Sequence, residues 1–212
     1  MVTYNEDSPE IIFLCKKDKR LAKLISTIGP LQYEIPDDPY EFLIHEIIEQ
    51  MLSKKAVNQI FKRLVTLCNG KIHPLAISKL TDEQIKSIGT ANSKVLFIRC
   101  VTNAVIEKSL DFTELEKMND VDVFNKLTSF KGIGKWTANM YLMFVLNRLN
   151  ILPTNDAAFI QSYKWLYKTN DISENSIRKK CNKWHPYSSI ASRYLYQALD
   201  TGLTKEEFHL YK

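Results

Sequence analysis

The chain has 212 residues, 45% hydrophobic and 25% charged, which suits one globular unit or two lobes and excludes a disordered or fibrous protein. Its formal charge of +5 fits a polyanionic partner without requiring one. No apolar run approaches the roughly 18 residues that span a bilayer, and Met1 to Pro9 carries Glu6 and Asp7 and no apolar signal core, so no membrane association is expected.

Six glycines and apolar residues at helical spacing predict an almost wholly α-helical chain. Asp18 caps a first amphipathic helix with Leu21, Leu24, Ile25 and Ile28 on one face, stopped by Gly29-Pro30. After the turn at Ile35 to Pro39, Pro39 suits the first position of a helix burying Phe42, Leu43, Ile47 and Ile48. Ser53 begins another helix that runs to Asn69-Gly70. Thr81 and Gln84 fit a capping box whose short helix ends at Gly89. Long helical patterns follow from Ser93 to Ile106, from Val121 to Thr128 and from Trp136 to about Leu149. Beyond the break at Pro153, a helix runs from about Asp156 to Tyr167, and Ser173 and Ser188 are expected to cap the last two. Cys15, Cys68, Cys100 and Cys181 lie no closer than 32 residues (100 − 68). That spacing suits neither a zinc site nor an iron–sulfur cluster, and predicts reduced, structural thiols in an intracellular protein.

The strongest chemical signal is Phe130-Lys131-Gly132-Ile133-Gly134-Lys135-Trp136-Thr137. Two glycines around one apolar residue permit a tight turn between helices. Backbone donors at the start of the next helix, with Lys131 and Lys135 at the rim, would meet a phosphate, while Ile133 seats the hairpin. A tight helix–helix turn with no ligand explains the glycine pair alone equally well.

The full string, continued through Ala138-Asn139, resembles the hairpin of base-excision DNA glycosylases with the helix-hairpin-helix and Gly/Pro-Asp signature. The resemblance implies an all-α, two-lobed fold with a cleft between the lobes. One lobe would be 46–148, containing the hairpin at 127–138, and the other 1–45 plus 149–212. It implies damaged double-stranded DNA as partner and a hairpin holding the DNA backbone through Lys131, Gly132, Ile133, Gly134, Lys135 and Thr137. A monovalent cation (Na or K) would sit on backbone carbonyls near Phe130 and Ile133, with no metal held by side chains and no other cofactor. A monomer is expected, cytoplasmic and nucleoid-associated in a prokaryote or nuclear in a eukaryote.

In that family an aspartate follows the hairpin after a proline-containing loop. Pro153-Thr154-Asn155-Asp156 supplies it, 22 residues (156 − 134) beyond Gly134. Aspartate is also a favoured helix N-cap, which explains the residue type without catalysis. As a catalyst, the carboxylate would stabilise positive charge on the sugar and orient or deprotonate the attacking water. Bifunctional members carry a lysine two residues after the second glycine, where this chain has Trp136; Lys135, one position early, is turned about 100° away. A monofunctional enzyme without strand cleavage is therefore expected.

Trp136-Thr137-Ala138-Asn139, the Ile47 to Ser53 segment and Trp184-His185-Pro186-Tyr187 resemble the 3-methyladenine DNA glycosylase II branch. Met51 replaces a glutamine of that pattern, and a serine replaces an arginine after the Trp-x-Pro-aromatic motif. The branch implies hydrolysis of alkylated purines after base flipping. Trp136, Tyr187, Tyr40 and Gln50 would line the base pocket, and Met51 and Leu52 are wedge candidates that fill the gap left by the base. Tyr141 and Trp165 are expected in the core. Lys179-Lys180-Cys181-Asn182-Lys183 fits a solvated basic face or a phosphate contact equally. Oxidised, deaminated or mismatched bases on the same fold, a non-catalytic DNA-binding module and a helical adaptor remain the alternatives.

Overall fold

The computed structural model describes residues 1–210. The chain opens with strand β1 (Val2–Tyr4), helices α1 (Pro9–Lys17) and α2 (Lys19–Ile28), and strand β2 (Leu31–Tyr33), which pairs antiparallel with β1. Asp18 caps α2 through Oδ1, and Gly29 ends it at φ 82. The ribbon and α1 are additions to the sequence expectation. Strands of three residues are too short to show alternation, and the apolar run Ile11 to Cys15 has no clear period.

The chain next builds a compact unit of residues 36–146. It contains α3 (Pro39–Glu49), α4 (Lys54–Leu67), α5 (Pro74–Ser78), α6 (Asp82–Ser87), α7 (Asn92–Ile106), α8 (Phe112–Lys117), α9 (Asp120–Thr128) and α10 (Lys135–Met140). Asp38 and Ser53 cap α3 and α4, and the Thr81–Gln84 capping box forms at α6. Helix α3 buries Leu43, Ile44, Ile47 and Ile48 and packs on α4, α7 and α10. Each such side chain contributes about 1.5–3 kcal/mol on leaving water. This packing keeps α3 wholly in this unit, which begins at residue 36 rather than at the 46 that the sequence predicts.

The helix expected from Trp136 to Leu149 is shorter and irregular. Helix α10 gives way to a π turn, Tyr141–Val145, in which Leu146 N reaches Tyr141 O at 3.1 Å. Asn147 follows at φ 49, in the left-handed region.

Residues 147–210 return to the opening segment, completing the other compact unit. They supply α11 (Ala157–Tyr167), α12 (Glu174–Cys181), a 3-10 turn at Asn182–Trp184, α13 (Ser188–Asp200) and a second 3-10 turn at Leu203–Lys205. The core here is aromatic, with Phe159, Tyr163, Trp184 and Tyr194 buried among Leu14, Leu21 and Leu24. Ser188 does not cap α13; Tyr187 holds that position, and Ser188 Oγ donates instead to Asn150 Oδ1 at 2.8 Å. All four cysteines are unpaired. Among the described residues no helix is long and apolar enough to cross a membrane.

Candidate active site

The hairpin joins α9 to α10, and its two glycines stand in different situations. Gly132 has φ 99, and a Cβ there would lie 2.4 Å from Phe97 Cβ. Backbone and packing both demand glycine at that position. Gly134 caps α10 at φ −89, ordinary for any residue, and a Cβ would meet nothing within 4 Å. Neither its conformation nor its neighbours require a glycine. Ile133 is buried between them, while Lys131 and Lys135 are exposed and Trp136 is half-buried.

The hairpin is braced from the end of α3. Gln50 Nε2 donates to Gly132 O at 2.9 Å and to Thr137 Oγ1 at 3.3 Å. Two expectations change as a result. The Gln50 amide nitrogen is committed to the hairpin, and the Thr137 side chain, 1% exposed, serves as its acceptor, so any DNA contact by Thr137 falls to its backbone rather than to its hydroxyl. Tyr40 leaves the pocket set. It is 2% exposed, and its hydroxyl shares a 2.8 Å hydrogen bond with Thr102 Oγ1. Burial pushes its phenol well above the ordinary value, despite the Thr102 contact.

The turn between α3 and α4 projects the two wedge candidates. Met51 is 100% exposed and adopts φ 61, and Leu52 is exposed beside it. A bare methionine in a left-handed conformation is unfavourable on two counts, hydration and backbone strain. Lys94 Nζ donates to Ile48 O and Gln50 O, each at 2.7 Å, directly before Met51. Sequence reading missed Lys94 and Phe97. The one local clue to Lys94 is a cation in the first turn of a helix, the end where the dipole disfavours it.

In the other unit, Asp156 is the N-cap of α11, and its Oδ1 accepts from Phe159 N at 2.6 Å. The residue is 7% exposed. The cap thus helps fix the carboxylate's orientation. Tyr187 packs edge-on against Phe13, with ring centroids 5.3 Å apart, and is half-buried. Tyr141 lies fully inside the hairpin unit, as expected of a core residue, and Trp165 rests against Phe208 with Nε1 donating to Glu206 O. Part of the basic run at 179–183 is structural. Lys183 pairs with the buried Asp18 at 3.0 Å, and Lys180 and Lys183 both lie over the Tyr167 ring.

Among the described residues, His45, Glu46 and Glu49 bring potential metal-ligand atoms within 4.8 Å. Their contacts are accounted for as ion pairs. His45 Nδ1 stands 3.3 Å from Glu46 and 3.6 Å from Glu49. The Glu46 hydrogen bond and the surrounding carboxylates raise the imidazole's pKa against the opposing effect of burial.

Residues 44–186 match the model of the HhH-GPD superfamily base excision DNA repair proteins. DNA-3-methyladenine glycosylase 1 of Schizosaccharomyces pombe is 29% identical over 183 residues, covering 84% of this chain and 80% of that protein. A crystal structure of DNA-3-methyladenine glycosidase from Bacillus halodurans superposes with a TM-score of 0.86 and 34% identity, covering 99% of this chain and 97% of that one. The structure of Schizosaccharomyces pombe 3-methyladenine DNA glycosylase Mag1 in complex with abasic DNA gives 0.84 at 25% identity, covering 97% of this chain and all of the other.

Proposed function

The chain belongs to the HhH-GPD superfamily of base excision DNA repair proteins, and from that membership we propose that it is a monofunctional DNA glycosylase for alkylated purines. Asp156 is the catalytic carboxylate and the observation that carries the reading. It is a nearly buried carboxylate held in a fixed orientation by its own helix cap, on the proline-containing loop that follows the hairpin. Similarity to glycosylases named for 3-methyladenine supports the substrate class.

The hairpin holds the DNA backbone. Gly134, for which the fold has no need of a glycine, leaves room for a sugar-phosphate strand to approach the main chain, and Lys131 and Lys135 neutralise phosphate charge. The carbonyls of Phe130 and Ile133 are neutral oxygen donors of the kind a hard monovalent cation takes. Phe130 O already accepts from Ile133 N at 3.1 Å and keeps a second lone pair for such an ion, so the donor set fits. When bound, the ion would add one positive charge beside the phosphate.

Extrusion of the damaged nucleotide leaves a gap in the stack that an apolar side chain fills. Met51, exposed and projecting, is the wedge, with Leu52 beside it. The half-buried Trp136 of the hairpin unit is the aromatic candidate for stacking on the cationic purine. Cleavage of the bond from sugar C1′ to the base nitrogen builds positive charge on the sugar. The Asp156 carboxylate stabilises that charge and takes a proton from the water whose oxygen bonds to C1′. An alkylated purine is cationic in the ground state and departs as a neutral base, so no acid on the leaving group is required. Trp136 stands where a bifunctional enzyme would carry its amine, so the product is an abasic site in an intact strand.

Incubation with methylated duplex DNA and chromatography of the released bases tests this reading. Wild type should release methylated purines, and Asp156→Asn, which keeps the cap, should be slower by at least about 100-fold. Duplex binding without release by either protein would favour a non-catalytic DNA-binding module.

A further inference from the structure

Lys94 has no part in the reaction described above, yet it is placed at some cost. It lies in the first turn of α7, where the helix dipole opposes a positive charge, and burial lowers its pKa. Its ammonium spans the carbonyls of Ile48 and Gln50 at 2.7 Å each. A helix C-terminus leaves such carbonyls without intrahelical donors, and bonds from a charged donor are the stronger kind. The residue immediately after this clamp is Met51, at φ 61 and fully exposed.

The same stretch also reaches the hairpin. The Gln50 side chain bonds to Gly132 O, and Phe97, one turn beyond Lys94 on α7, closes over Gly132. The first two turns of α7 therefore support the projecting turn through Lys94 and the hairpin through Phe97. Without the ammonium, the two carbonyls can turn to water and the turn can leave its strained conformation.

We propose that Lys94 is a positioning residue for base extrusion, holding the α3–α4 turn so that Met51 is preset to enter the stack beside the hairpin. The inference rests on the glycosylase reading for its substrate, a duplex with one damaged base.

The test is a double-substitution cycle in the full chain with Lys94→Met, Met51→Ala and the pair, read by the fluorescence of 2-aminopurine placed next to the lesion. Lys94→Met should slow the fluorescence rise about tenfold while affinity for undamaged duplex stays within about twofold. Lys94→Arg, which keeps the charge and two donors, should recover most of the rate. In the Met51→Ala background Lys94→Met should add nothing. A lesion already unpaired in a bulge should be excised by Lys94→Met at the wild-type rate.

Independent, multiplying effects of the two substitutions would overturn the proposal. So would an equal loss on paired and bulged lesions, or a wild type that gives no fluorescence rise. Should Lys94→Met fail to fold, Lys94→Gln takes its place in the same cycle. The fluorescence needs no bond cleavage. A wild type that extrudes the base but releases no methylated purine therefore overturns the substrate assignment and leaves the role of Lys94 intact.

Discussion

Gly132 and Phe97 leave no space between them: a Cβ on Gly132 would stand 2.4 Å from Phe97 Cβ and 3.1 Å from its Cα. With φ at 99 as well, Gly132→Ala should cost about 3 kcal/mol in thermal or denaturant melts. Gly134→Ala makes the contrast. Its fold stability should stay within about 0.5 kcal/mol of wild type, while duplex affinity by fluorescence anisotropy drops about tenfold. Unchanged binding by Gly134→Ala would mean that no DNA backbone comes close to this residue.

Asp18 should be a large single contributor to stability in its unit. Oδ1 caps α2, and Oδ2 accepts from the Tyr167 hydroxyl, from Trp184 Nε1 at 2.9 Å and from Lys183 at 3.0 Å. Asp18→Ala strands the buried Tyr167 and Trp184 donors and the partly exposed Lys183, and should cost about 3 kcal/mol. Burial works to raise the carboxyl's pKa, but the bonds from Tyr167, Trp184 and Lys183 together hold it below the ordinary 3.8. A depressed folded-state value gives stability that is present above the unfolded pKa and lost as pH falls through the folded one. Acid melts of wild type should therefore show a decline below about pH 4 that Asp18→Asn lacks in part.

His45 has the opposite sign. Its hydrogen bond to Glu46, supported by the charges of Glu46, Glu49 and Glu41, raises the imidazole above its ordinary 6.5. The stability it adds is complete below 6.5 and disappears as pH rises through the folded value. His45→Gln should lose stability relative to wild type at about pH 6 and approach parity at about pH 9. Parallel melting curves across that range would remove the ion pair from the account.

Borohydride reduction checks the fate of the strand. An amine that attacks the sugar is trapped as a covalent adduct. With Trp136 at the diagnostic position, wild type should give no adduct with abasic DNA and should leave damaged strands whole until alkali is added. A trapped adduct would direct attention to Lys135 or another amine.

Local chemistry made much of this protein legible before any coordinates. The Thr81–Gln84 box, Pro39 at the first position of its helix, Asp18 and Asp156 all mark helix starts whose signals lie within four residues. Long-range commitments were hidden. Gln50 is occupied by Gly132, 82 residues away, and Tyr40 by Thr102, 62 residues away. Nothing near either side chain in sequence tells an inward-facing residue from a pocket-facing one. The π turn was equally hidden, because Tyr141 to Val145 carries the apolar content of an ordinary buried helix.

Asp156 also bears on how this protein could decay over evolutionary time. A helix start of this geometry accepts asparagine, serine, threonine or aspartate, and one of these four is an acid. A descendant released from repair would still be selected to fold. Drift at position 156 would then settle among those four residues and not scatter over all twenty. On the catalytic role proposed for Asp156, an Asn, Ser or Thr there, in a copy that keeps Gly132 and Phe97, would mark a chain that has kept its architecture and given up its chemistry.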